Sequence, residues 1–181
     1  MISTTAKRAS PKGIAYWVYQ SNVIVSTRHS GNRLSSVRIE FQGEIARIPS
    51  LKNSKIPGKN FINPDTLHRL KAMDALFWRA YSSEKRLTFG SDQVVGLLVC
   101  SKRATRFDLD NCAASVKDWL EPATKRARGW GVGLIDDDSQ LTIFPVHAHQ
   151  VGKNPSASTL ILMRWEDVGD SFRCWATDTF F

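Results

Sequence analysis

Two groups of carboxylates stand out in this 181-residue chain. Asp108 and Asp110 lie two apart in the segment Phe107-Asp-Leu-Asp-Asn111, just after an apolar run and before a helix-like stretch; Asp136, Asp137 and Asp138 are consecutive. An extended Asp-x-Asp points both side chains to one side. Clustered carboxylates repel each other unless a cation lies between them. All-oxygen donors favour a hard ion, Mg²⁺ or Mn²⁺, over zinc. Each group also has a plain structural reading: helix capping for Asp-x-Asp-Asn, with Asn111 as the N-cap, and a solvated turn for the triple aspartate.

The charge distribution adds a partner. The formal charge is +8, and residues 1–60 account for all of it, with ten Lys/Arg against only Glu40 and Glu44. Residues 61–181 hold equal numbers of each sign. An excess confined to one third of a chain suits an acidic polymer, although a basic solubilising tail has the same composition. Basic residues that hold a polyanion, with carboxylates that hold a metal, suggest metal-assisted phosphodiester cleavage. His147 and His149 alternate, but no third ligand is spaced to complete a zinc site. Cys100, Cys112 and Cys174 are too few and scattered for a disulfide framework and read as reduced thiols, so a cytoplasmic protein is expected. No apolar run reaches bilayer length, and the N-terminus has no signal-like apolar core, so neither membrane nor export is expected.

The elements that must position these groups are legible in part. Gly13–Thr27 is aromatic and β-branched around Ser21-Asn22 and predicts a hairpin, with His29–Ser36 as a loop. Val37–Phe41 alternates as a half-buried strand. Asn63, Pro64 and Asp65 open a helix whose stripe is Leu67, Leu70, Met73, Phe77 and Ala80. Val94–Cys100 predicts a central strand, and Cys112, Val116, Trp119 and Leu120 a second helix stopped near Pro122. Strands follow around Leu141–Val146 and Thr159–Trp165, with another at Phe172–Ala176. The expected fold is α+β, a layered mixed sheet packed against two main helices, with residues 1–36 as a basic extension and 37–181 as the main domain.

Three segments in order resemble the RusA family of Holliday-junction resolvases, found mainly in phages and prophages. They are Pro49-Ser-Leu-Lys-Asn-Ser-Lys55, Phe107-Asp-Leu-Asp-Asn111 with the helix after it, and Ile135-Asp-Asp-Asp-Ser-Gln140. The resemblance runs from about Val37 to Trp165. It implies a homodimer that cuts four-way junctions with Mg²⁺, Mn²⁺ substituting, inside a bacterial or phage-infected cell. It assigns metal binding to Asp108, Asp110 and Asp138, with Asp137 as the alternative if the register slips by one. The family's lysine three residues after the asparagine is Ala114 here; Lys117, one turn further along on the same helix face, is within reach of the same phosphate and is the expected catalytic lysine beside Asp108, Asp110 and Asp138. Under this reading Lys52, Asn53, Lys55, Lys59, Arg106, Asn111, Lys125, Arg126, Arg128 and Trp130 contact DNA, whereas Trp78 and Trp119 belong to the core. A non-catalytic branched-DNA-binding protein, or a basic packaging protein whose acids are surface turns, would carry much of the same sequence.

Overall fold

The computed structural model describes residues 13–51, 62–81, 87–100, 108–125, 129–147 and 157–169. Helix α1 (Ile14–Tyr19) leads into a long antiparallel pair, β1 (Ser21–Ser30) and β2 (Arg33–Gly43). Helix α2 (Pro64–Ala80), strand β3 (Val94–Cys100), helix α3 (Leu109–Leu120), strand β4 (Leu141–His147) and strand β5 (Ser158–Arg164) follow. The sheet order is β1-β2-β5-β3-β4, antiparallel except for the β3–β4 pair. The fold is thus α+β around a mixed five-stranded sheet. No helix among the described residues is long and apolar enough to cross a membrane.

The core explains why α2 and α3 sit where they do. Trp119 is fully buried between Phe41 of β2 and Phe77 of α2, with ring centroids 5.5 and 5.7 Å away. Both contacts are edge-on, the arrangement that the ring quadrupoles favour. Trp119 Nε1 donates to Asp74 Oδ1 at 2.6 Å, so the indole that fills the core also ties α3 to α2. Asp74 Oδ2 accepts from the Gly131 N–H at 3.0 Å and fixes the loop after α3. Burial pushes the Asp74 carboxyl up to about 6 despite these two bonds. The other sheet face carries Ile161 and Met163 of β5, packed with Val95 and Leu97 of β3.

Three expectations are corrected. The hairpin predicted over Gly13–Thr27 is a helix followed by a strand; the chain reverses instead at Gly31-Asn32, where Gly31 takes φ 60°. Trp17 decides the difference. It is buried, with the Arg69 guanidinium of α2 4.3 Å from its ring centre, a tertiary contact that outweighs the strand propensity of IAYWVY. The boundary expected after residue 36 falls inside β2, and Trp17, Val23 and Leu34 of the supposed extension are buried. The N-cap of α3 is Asp108, not Asn111: its Oδ1 accepts from the N–H groups of Asp110 and Asn111 at 3.0 and 3.3 Å. The strand expected at Phe172–Ala176 lies outside the described residues.

Candidate metal centre

The carboxylates that meet are Glu121, Asp137 and Asp138, each offering an oxygen within 4.8 Å of the others. Glu121 follows the last residue of α3, where Pro122 forbids continuation. It is buried, at 5% exposure. Its Oε1 accepts from the Asp138 N–H at 3.2 Å, which joins the helix end to the aspartate turn. That turn is a capping box over one 3₁₀ turn, Asp138–Gln140. Asp137 Oδ1 accepts from the Ser139 N–H at 3.0 Å, and the Asp137 N–H donates to Gln140 Oε1 at 2.7 Å. Gln140 Nε2 in turn donates to the carbonyls of Gly90 and Asp92 at 2.9 and 3.2 Å, anchoring the turn to the loop before β3.

Lys125 is the cation of this cluster. Its Nζ lies 3.0 Å from Glu121 Oε1 and 2.8 Å from Asp137 Oδ2. The ammonium and the Ser139 contacts hold the Asp137 carboxyl well below the usual carboxylate range, and the two carboxylates hold Lys125 above its ordinary value. Three carboxylates against one ammonium leave excess negative charge in a chain that is otherwise strongly basic. The donor set is all oxygen, which fits a hard divalent ion.

Asp108 and Asp110 do not join this group. They occupy the start of α3 and Glu121 its end, so at about 1.5 Å of rise per residue they stand roughly 16–20 Å from it along the axis. Asp138 is bonded to the Glu121 end and lies beyond the reach of either side chain. Asp108 works as a cap, with Oδ2 also accepting from Asn111 Nδ2 at 2.8 Å. Asn111 is therefore engaged in the turn. Asp136 is exposed beside the cluster, its N–H donating to the Gly90 carbonyl. Lys117 lies one turn before Glu121, at the cluster end of α3.

One DNA contact expected from the sequence is corrected. Trp130 is 3% exposed and belongs to the core, because the glycine loop folds back across α3 through Val132 N–H to Trp119 carbonyl and Leu134 N–H to Leu120 carbonyl. Lys125, also expected on DNA, is exposed and pairs with Glu121 and Asp137. Lys52, Asn53, Lys55, Lys59, Arg106, Arg126, Arg128 and His149 lie outside the described residues. Glu121 was the residue that sequence reasoning missed. Its signal was present in Pro122, which fixes a helix end, and in Lys125 four residues on. No family model, curated protein or solved structure matches the chain.

Proposed function

We propose that the protein is a divalent-metal-dependent nuclease acting on branched DNA, with Glu121, Asp137 and Asp138 as its metal-binding carboxylates. The observation that carries this reading is the convergence of the three carboxylates on one side of a chain of charge +8. Bound Mg²⁺ or Mn²⁺ would polarise a phosphodiester and lower the pKa of attacking water. Glu121 is preorganised for such a role, since burial and the Asp138 N–H fix its carboxylate before any ligand arrives. Lys125 holds the cluster together in the absence of an ion and is placed to move toward a phosphate oxygen when one is bound. Lys117, one turn back, supplies a second positive charge on the same end of α3.

The resemblance to RusA-like resolvases supports the substrate class and the homodimer, since paired cuts across a four-way junction need a symmetric enzyme. A second reading keeps Asp108 and Asp110 as ligands. The outward stripe of α3 runs through exposed Asp110 and Ala114 to half-buried Lys117, acidic at its start, small at its middle and basic toward its end. Two copies packed antiparallel along it would set Asp110 of each chain against Lys117 of the other and bring Asp108 and Asp110 toward the second copy's Asp138. The test is incubation of a labelled four-way junction with Mg²⁺, Mn²⁺, Ca²⁺ or chelator. Paired nicks in Mg²⁺ and Mn²⁺ alone are expected, and loss of cleavage in Asp138→Asn with binding retained. Binding without cleavage under every condition would overturn the enzyme.

A further inference from the structure

A second polar centre sits at the other end of the Gln140 tether. A cavity of about 170 Å³ opens between Asp92, Gln93, Arg164, Trp165 and Glu166, roughly the space of five or six waters. Its position is fixed by the same side chain that holds the aspartate turn, because Gln140 Nε2 bonds the Asp92 carbonyl. The Trp165 N–H bonds the Gln93 carbonyl at 2.8 Å and closes the other side.

The lining is unusual for a surface ion-pair cluster. Arg164 is 97% buried by its side chain, with Nη1 2.8 Å from Glu166 Oε1 and 3.8 Å from Asp92 Oδ2. Its Nε, 3.1 Å from Asp167 Oδ2, has no aligned hydrogen-bond partner. A buried guanidinium N–H left in that state costs free energy, so the arginine is held here at a cost to the fold. Trp165, by contrast, is 68% exposed, the largest apolar side chain in the region left to water. Ion pairing at the end of β5 does not require that indole. Arg33 completes the surroundings: it is exposed at the β1–β2 turn and lies 3.9 Å from Glu166.

We propose that this cavity binds an unpaired guanine of a nucleic-acid strand, a proposal that rests on the nucleic-acid partner inferred above and adds a base-reading subsite to it. Trp165 supplies the stacking face. Guanine presents an oxygen acceptor beside two N–H donors on one edge, and the cavity offers the complement, a guanidinium beside two carboxylates. A thymine, which has no amino group, leaves one carboxylate without a donor. Arg33 is placed for the phosphate of the same nucleotide. The acidic lining rejects a free anion, and a cationic peptide would have to approach a chain of charge +8. A neutral base entering the cavity is not repelled by the carboxylates, and the strand that carries it is drawn to a chain of charge +8.

The test measures, in chelator, the affinity of an all-thymidine single strand against the same strand with one central guanine. The guanine strand should bind at least about fivefold more tightly, the scale of one stacked base. That preference should vanish in Trp165→Ala and in Glu166→Gln, and persist in part in Trp165→Phe. Arg33→Ala should weaken both strands alike. Thermal melting of Trp165→Ala should match the native chain, since the indole is exposed. Equal binding of the two strands by the native protein, or a preference that survives Trp165→Ala, would overturn the proposal. So would binding of a lysine-rich peptide that Trp165→Ala abolishes. Chelator separates this subsite from the nuclease: a chain that never cuts DNA still shows the preference if the subsite exists, and a cutting chain without the preference overturns the subsite alone.

Discussion

At the residue scale, Lys125 determines how the carboxylate cluster behaves without a metal. It neutralises part of the charge on Glu121 and Asp137, so a divalent ion must compete with it. Lys125→Met removes the competitor and leaves the carboxylates facing each other. In chelator that variant should melt below the native protein, and Mg²⁺ should raise its melting temperature by more than it raises the native one; differential scanning fluorimetry reads both. A Mg²⁺ response equal to the native chain's would mean the carboxylates do not share an ion. Asp137 sets the acid limit of the same cluster. Its carboxyl is depressed by Lys125, so the contribution it makes is complete above the ordinary aspartate range and is lost as pH falls below it. No pattern of acids discloses Glu121, the candidate ligand at the end of α3; its signal lies in Pro122 and Lys125 instead. The triple aspartate is legible as a group, but the partners that the family resemblance implies for Asp138 are not the residues that meet it here. Asp-x-Asp-Asn is equally good chemistry for a cap, and that is the role the start of α3 gives Asp108.

At the scale of elements, Asp74 joins α2, α3 and the loop that leads to the aspartate turn. Its carboxyl titrates near 6 because burial opposes the charge. The folded chain therefore binds this proton more tightly than the unfolded chain, and stability falls as pH rises from about 4 through about 6. The upshift corresponds to about 3 kcal/mol by the usual conversion of pKa difference to free energy. Asp74→Asn should remove that part of the pH dependence. The difference in melting temperature between variant and native chain should shift across this window and be flat above it. A difference that is constant from pH 4 to 8 would contradict the assignment. Gly131 of the same loop has φ 125°, and a Cβ there would meet the Glu121 carbonyl, so Gly131→Ala should both destabilise the fold and blunt the Mg²⁺ response. The helices and central strands here follow from periodicity and caps that lie within each segment. The first element does not, because the burial of Trp17 depends on α2, some fifty residues later in the chain.

At the scale of the whole molecule, the proposed function assigns nucleic-acid binding to the basic excess and the ion to the acidic cluster. Residues 13–36 comprise α1, β1 and the start of β2, so a deletion confined to residues 1–12 leaves these elements whole. That deletion takes Lys7, Arg8 and Lys12. If all three meet phosphates, the log–log salt slope of junction binding should fall by about 3 units, and an unchanged slope would make them bystanders. A two-copy site would show itself in mixing. Asp108→Asn and Asp138→Asn proteins, each inactive alone, would then recover cleavage together, whereas a one-chain site gives no recovery. The central claim is that one chain's Glu121 and Asp138 hold the ion that cuts DNA. It is tested most directly by following cleavage of a four-way junction in Mg²⁺ by Glu121→Gln beside Asp108→Asn, both confirmed as folded by melting. The account predicts that Glu121→Gln binds the junction without cutting it, while Asp108→Asn, whose asparagine still caps α3, cuts it. Cleavage by Glu121→Gln at the native rate would contradict the account.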